Sequence, residues 1–569
     1  MTASITLIRR KRQFRLIKPL QANSKMVTSV PELAQRIQRL EQAVFPTREL
    51  KEARPGTLPS NAELAKTPNS DLSNQDEEQQ LTSQWLEDLL SAGPRPFHLR
   101  RRHFQPSCAT SQPTAMLKML LDHFIITIDA TCRTLHIPTT WKQLKELYDD
   151  LTANRLPSAT RLAFFLGIFA GGAYISKSTV SFETVALQPY SQIALAELWT
   201  KQAVELVTTP PIPPSTEALQ TIMNLVYLCT QIEGISGSFG ILSMSGIQMA
   251  KIMKIHRLDS SPYREERRKN GSDMVDLEVK RRIWLLSYVG GPNEGTYMLH
   301  PAQMETNHPS NVEDDNIPSG ITFCSEESYS LPLSSPTSMT YFLCRIQAAT
   351  LAREVVDRLP PSFLASPGSE ICDKVYDSIV FLDLKFQHFL KSLPSFFQLT
   401  ISDVNTYQSL TSEKPYLEWQ RHLINFVIHT QLARLHRPFL ICGSMKHKFA
   451  NSRMQCIKSA ETVIEIRNRV IGDHSIGTFT YVLLHFLMAA IILAMDVCFN
   501  PDNIHVSQRK GDVLRACREL EAELNAKIIP SGTANGNTSG GQVMVKSFSK
   551  GRAKPAGDFE KENQRKQSK

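Results

Sequence analysis

The chain has 569 residues, 41% of them hydrophobic and 21% charged, so it can bury a large core and is not disordered throughout. Its formal charge of +9 permits a polyanionic partner without demanding one. Ten cysteines (Cys108, Cys132, Cys229, Cys324, Cys344, Cys372, Cys442, Cys456, Cys498 and Cys517) include no two within ten residues of each other. That scatter excludes the C-x-x-C spacing of a structural zinc site and leads us to expect reduced, mostly buried thiols in an intracellular protein. His98, His103, His123 and His136 are too spread to substitute.

Residues 1–28 form a basic arm. Ile5 to Ile8 is short and meets Arg9, Arg10, Lys11 and Arg12 at once, so a secretory core is missing. The run is a candidate nuclear-import signal or phosphate-contacting arm, with a plain solvated terminus as the alternative.

Residues 29–45 read as a short coiled coil. Ser29 and Glu32 make a capping box, Pro31 suits a first turn, and Val30, Leu33, Ile37, Leu40 and Val44 recur three and four apart. This is a candidate dimer seam, or else an amphipathic helix packed on its own domain. So short a seam is marginal alone and would need support from elsewhere.

From 46 to 114 the composition turns to Pro, Ser, Asn, Thr and acid, which predicts a disordered linker. Its FHLRRRHF stretch, Phe97 to Phe104, interleaves bases and aromatics in a way that can grip single-stranded nucleic acid, but a loop is the simpler expectation.

Residues 115–528 are expected to be all-α, a large helical domain. Apolar periodicity marks helices over Met116–Leu135, Leu144–Leu151 and Ala159–Ser176, punctuated by Pro138, Pro157 and Pro189. Two apolar runs, Leu162 to Ile175 and Phe479 to Val497, read as buried core helices and not membrane spans: the first is short and holds Gly171 and Gly172, the second holds His485 and ends at Asp496.

GISGSFG, Gly234 to Gly240, fits neither a dinucleotide fingerprint nor a phosphate loop, and no G-x-S-x-G elbow exists. With no nucleophile, base and orienting group to assemble, no enzyme is expected.

The most particular stretch runs from Leu277 to Ile317. Leu277, Arg281, Trp284, Leu285 and Tyr288 share helical spacing, and Glu278 precedes Arg282 by four residues, the order expected of a surface ion pair. The helix should stop at Gly290-Gly291-Pro292 and give way to an extended, Pro-punctuated segment. Glu313, Asp314 and Asp315 at its end are expected to form a solvated or helix-entering acidic turn in preference to a cation site. Residues 529–569 close the chain with a low-complexity SGTANGNTSGG and a basic end, a predicted disordered tail.

This stretch resembles the middle homology region of fungal transcription factors of the zinc binuclear-cluster type. Glu278, Arg281, Arg282 and Trp284 match its helix, and Pro309, Asn311, Asp314 and Asp315 match its Pro-Asn-x-x-Asp-Asp ending. Upstream, GIQMAKIMKIHRLD supplies His256, Arg257 and Asp259; downstream, Pro336 to Pro360 and Leu432 to Leu440 resemble later helices. The resemblance covers residues 115–520.

It implies a nuclear, pathway-specific regulator of RNA polymerase II genes, metabolic or secondary-metabolite, with a helical regulatory domain. DNA is the implied partner, read through a six-cysteine zinc cluster. Homodimerisation or heterodimerisation with a related factor, and a small-molecule effector, are further implied partners; a membrane is not. Two departures stand out. Leu285 follows Trp284 where the family usually has a second tryptophan and more helix, and the zinc cluster is not in this sequence, so zinc is implied by the family without ligands in this chain. The seam lies so close to Met1 that the chain is expected to begin just after the cluster's usual place. The alternative is a regulator without a DNA-binding domain that heterodimerises with a complete relative and modulates it.

Overall fold

Apolar residues recur at three and four positions along most of this sequence, and the computed structural model is all-α accordingly. It describes residues 112–528 except 154, 177–188, 210, 233–236, 290–296, 323–324, 326–327, 362, 364–368, 469–478 and 501–503. The basic arm, the seam Val30–Val44, the linker and the tail all lie outside the described residues. Contacts group 1–523 as one unit and 524–569 as another, of which only the end of the last helix is described.

Helix α1 (Gln112–Phe124) widens into a π-type turn at Ile125–Asp129, continues through Ala130–Cys132 and stops at Arg133, whose φ of 52° is left-handed. The single helix expected over Met116–Leu135 is therefore interrupted. The Thr127 hydroxyl donates to the His123 carbonyl at the widening, competing locally with the regular ladder. Helix α2 (Ile137–Thr152) begins earlier than expected, because His136 caps it and Pro138 stands in its first turn.

Helix α3 (Ala159–Ser176) packs on α1, on α4 (Pro189–Thr208) and on α5 (Thr216–Ile232), and α6 (Gly237–Ile252) lies against α5. Gly172 explains how close α1 and α3 come: a Cβ there would sit 2.2 Å from the Leu120 carbonyl oxygen. Helix α7 (Ser261–Asn270) has no buried residue. Gly271, at φ 71°, then turns the chain into β1 (Ser272–Asp273), which pairs antiparallel with β2 (Ile321–Thr322), Ser272 opposite Thr322.

Helix α8 (Met274–Val289) is buried on almost every side, packed between α5 and α9 (Thr340–Arg358). It ends where the Gly-Gly-Pro cluster begins. The second half comprises α10 (Ser369–Ser392), α11 (Val404–Glu413), α12 (Tyr416–His436), α13 (Phe439–Met445), α14 (Ala450–Ile466), α15 (Thr480–Phe499) and α16 (Val506–Ile528). Helix α12 packs against α9, α10 and α14, and α14 against α15.

Helix α15 is long and apolar enough to cross a membrane, with a mean hydropathy of 2.4 over its best window, but in this fold most of it is buried inside the protein. The expectation of a core helix holds. Its one acid, Asp496, is fully buried and satisfied by Arg453 of α14 and by Arg509 of α16, Nη1 to Oδ2 2.6 Å. Seven described cysteines are buried and Cys442 is half-buried, and none of them forms a disulfide.

Candidate functional site

Helix α8 carries three ionisable side chains, Glu278, Arg281 and Arg282, into the interior, where none keeps measurable exposure. Burial of unpaired charge is costly, so each has to find a partner in the surrounding elements. The partners come from the turn after α6, from the extended segment downstream of α8 and from the residues just before α2.

Arg281 grips Asp259 with two donors, Nη2 to Oδ1 at 2.6 Å and Nε to Oδ2 at 3.0 Å. Arg267 reaches the same Oδ1 at 2.8 Å, and the backbone N–H of Asn307 donates to Oδ2 at 2.8 Å. Burial works to raise the Asp259 carboxyl, but the bonds and charge of Arg281 outweigh it and hold it below the ordinary aspartate value. The turn itself is stitched to the segment through Asp259 N to Glu305 O at 2.8 Å and Glu305 N to His256 O at 2.7 Å.

Glu278 accepts from Arg281 Nη1 at 2.9 Å, from Ser310 N and Oγ at 2.9 Å each, and from the Tyr329 hydroxyl at 3.0 Å. The surface pair expected between Glu278 and Arg282 is therefore not what forms. The i,i+4 rule presumes an exposed helix face, and here both groups are buried and drawn to different partners.

Arg282 donates from Nη1 to the Leu135 carbonyl at 3.0 Å and sets Nη2 2.8 Å from Asp314 Oδ1. The second contact is a close ion pair without hydrogen-bond alignment. Asp314 Oδ2 accepts from the Ile137 N–H at 2.8 Å, its backbone carbonyl lies 3.1 Å from His136 Nε2, and Arg133 stands 3.6 Å away. Burial opposes ionisation of Asp314, yet Arg282 and Arg133 bring its pKa down to about 2. Arg133 also faces buried Asp129 at 3.6 Å, whose Oδ1 accepts from Leu135 N at 2.9 Å. Burial pushes Asp129 up, with Arg133 opposing it.

The acidic turn, expected to be solvated or helix-entering, does enter a short 3₁₀ helix, Asp314–Asn316, but is solvated at Asp315 alone; Asp314 is buried and Glu313 is half-buried, held by Lys414 Nζ at 2.8 Å. The difference arises because the 3₁₀ turn Asp314–Asn316 lies against the start of α2. Asn311 is saturated: Nδ2 donates to Pro332 O at 2.9 Å and Ser335 O at 3.1 Å, and Oδ1 accepts from Thr337 at 2.7 Å and Thr340 at 2.9 Å.

Most of the sequence-picked positions thus converge. Pro309 is buried beside Ser310; Trp284 is buried with its ring 6.1 Å from that of half-buried His256, whose pKa is lowered by burial and then by Arg257. Arg257 and Asp315 are exposed and take no part in the network. Sequence reasoning missed Arg133, Arg267, Tyr329 and Lys414, which lie outside the motif, and Ser310, which lies within it between Pro309 and Asn311. The only signal for them was composition.

Four guanidiniums (Arg133, Arg267, Arg281 and Arg282) face four carboxylates (Asp129, Asp259, Glu278 and Asp314). The set balances its own charge, and each carboxylate accepts at least one hydrogen bond. That is the chemistry of a clasp tying α8 to the turn after α6, to the start of α2 and to the segment 305–316. Among the described residues no three His, Cys, Asp or Glu gather in metal-binding range, so these residues offer no fit for the implied zinc.

No known family profile matches the chain. Comparison with characterised proteins aligns 413 residues, 69% of this chain and 71% of the relative, with a protein of Aspergillus flavus described as probable transcription factor lepB, at 31% identity. The chain belongs to the fungal transcription factors. Two other relatives of this regulator agree: the agnestins biosynthesis cluster transcription factor AgnL11 of Paecilomyces divaricatus, 28% identical over 88% of this chain and 74% of that one, and transcription factor TAS2 of Pyricularia oryzae, 26% identical over 78% and 58%. In the regulator, the clasp is how positions far apart in sequence become one packed unit.

Proposed function

We propose that this regulator acts in the nucleus as a pathway-specific controller of RNA polymerase II genes, those of a secondary-metabolite cluster in particular. The observation that carries the reading is the alignment over most of the chain with a factor whose name ties it to a biosynthesis cluster. The helical region resembles the middle homology region of zinc-cluster factors, and we read it as the regulatory part of such a protein. Nuclear import through Arg9, Arg10, Lys11 and Arg12, pairing through Val30 to Val44, and DNA contact through the family's zinc cluster belong to the same proposal. We assign it no catalytic step.

The test is chromatin immunoprecipitation of the tagged protein in its own fungus. Enrichment upstream of a contiguous set of biosynthetic genes supports the reading; enrichment no greater than an untagged strain defeats it.

A second reading is favoured by the heptad stretch Val30 to Val44, which is a surface for pairing with another chain. In it, this polypeptide heterodimerises with a complete zinc-cluster relative and modulates it. Leu33→Lys with Leu40→Lys then abolishes promoter enrichment, whereas co-purification of a zinc-cluster partner unaffected by that double change counts against it.

A further inference from the structure

Helix α6 has two sides of opposite character. Leu242, Gly246, Ile247 and Ala250 are buried, and a Cβ on Gly246 would lie 3.1 Å from Ile222 of α5, so this side packs inward. Ile241, Met244 and Ile252 instead keep 67%, 55% and 56% of their surface in water. With Ser245, Gln248 and Lys251, also exposed, they recur three and four residues apart along the outer side. Three large apolar side chains aligned on one helix face differ from the single exposed residues that any surface carries.

Exposed Lys251, Lys254 and Arg257 mark the C-terminal end of this strip, and Ile241 to Arg257 holds no acid. Among the described residues no salt bridge takes up any of the three. They stand close enough together that all three act, after burial, on the imidazole of half-buried His256, with Glu305 opposing them. The strip is therefore apolar along α6 and positive at its end. What fits it is a segment that carries both apolar side chains and acids.

The chain has such a segment. Asp76 to Leu90 reads DEEQQLTSQWLEDLL, and no Lys or Arg stands between Thr67 and Pro94. These residues lie outside the described ones. Their connection to the domain is long enough to reach α6. Helix α1 packs on α3, α3 on α5 and α5 on α6, three steps of about 8–10 Å each. Residues 91–111, which join the segment to α1, span up to roughly 70 Å when fully extended. A tether of this kind sets a local concentration on the order of millimolar, so a contact too weak to hold a free peptide is populated within one chain.

We propose that residues 76–90 dock along the outer face of α6, with Trp85, Leu86 and Leu89 covering Ile241, Met244 and Ile252 and the acids meeting Lys251, Lys254 and Arg257. Docked, the segment is withheld from other proteins, and a foreign acidic, apolar peptide has to displace it. The inference goes beyond the nuclear reading and is tested on the purified chain alone, so the two fail separately.

The experiment mixes unlabelled and heavy-isotope-labelled full chains in equal amounts and treats them with a carbodiimide, which joins carboxylates to amines in direct contact. Mass spectrometry then maps the links. Links from Glu87 or Asp88 to Lys251 or Lys254 are expected within single chains, about tenfold above those to exposed Lys374 and Lys391. Trp85→Ser with Leu89→Ser keeps every carboxylate, yet should cut these links about tenfold, because the apolar contact is gone. Ile241→Ser with Ile252→Ser, at two exposed positions, should do the same. Links joining labelled to unlabelled chains would make the occupant a second copy. Links untouched by both double changes would reduce the contact to chance collision of a tethered acid with a lysine. Either result, or no enrichment at Lys251 and Lys254, overturns the proposal.

Discussion

Arg282 and Asp314, 32 positions apart in the chain, meet at 2.8 Å with side-chain exposures of 0% and 4%. Asp314 is the hub of the pair, since it also faces Arg133 and accepts from the Ile137 N–H. Removing one partner of a buried pair costs about 3–5 kcal/mol because the other charge is stranded. Asp314→Ala strands one arginine fully and weakens the setting of a second, whereas Arg282→Met leaves Asp314 with Arg133 and a backbone donor. Urea unfolding is expected to place Asp314→Ala at the upper end of that range and Arg282→Met nearer the lower end. The reverse order would contradict the assignment of Asp314 as hub.

Acid should attack the clasp in a defined window. Asp314 has a folded pKa of about 2, burial being overcome by Arg282 and Arg133, against an ordinary value of 3.8. A lowered folded pKa gives stability that is full above the unfolded value and is lost as pH falls through about 4 towards about 2. The shift corresponds to about 2 kcal/mol. Stability measured by denaturant between pH 4.5 and 2 should fall less steeply in Asp314→Asn than in the native chain.

A separate loss is expected at milder pH from two histidines. His485 is lowered to about 3 by burial and Arg434, and His429 to about 4 by burial and Lys458. Below the ordinary value of 6.5 the unfolded chain takes up protons that the fold refuses, so stability is full above that value and declines as pH falls towards 4. Each imidazole adds a slope of about 1.4 kcal/mol per pH unit at most. Replacing His485 with Gln should remove roughly half of the combined slope between pH 6.5 and 4.5; an unchanged slope would show that His485 is protonated in the fold.

Glycines separate close packing from open surface. Gly172→Ala must push a methyl against the Leu120 carbonyl, so it should cost about 3 kcal/mol, the upper end of overpacking. Gly240, in α6, has nothing within 4 Å of its added Cβ, and Gly240→Ala should stabilise by about 0.5–1 kcal/mol. Thermal melts of the two variants should move in opposite directions.

Helices with dense apolar content were legible to the residue: α3 was expected at Ala159–Ser176 and is found there, and the run ending at Asp496 proved to be core. Less legible was the π-type widening at Ile125–Asp129, where nothing in the spacing of apolar residues marks a break. The motif residues were legible as positions but not as partners. Spacing links Glu278 to Arg282, while the fold links Arg282 to Asp314 and Glu278 to Ser310, contacts that exist only once the extended segment has returned over α8.

The most direct test of the account is the transcript profile of the fungus after deletion of this gene. The expected result is a change, in one direction, of the transcripts from one contiguous biosynthetic gene set, reversed by the native gene and not by the Asp314→Ala form. Unchanged transcripts across all such sets, under conditions where the protein is present, would contradict it.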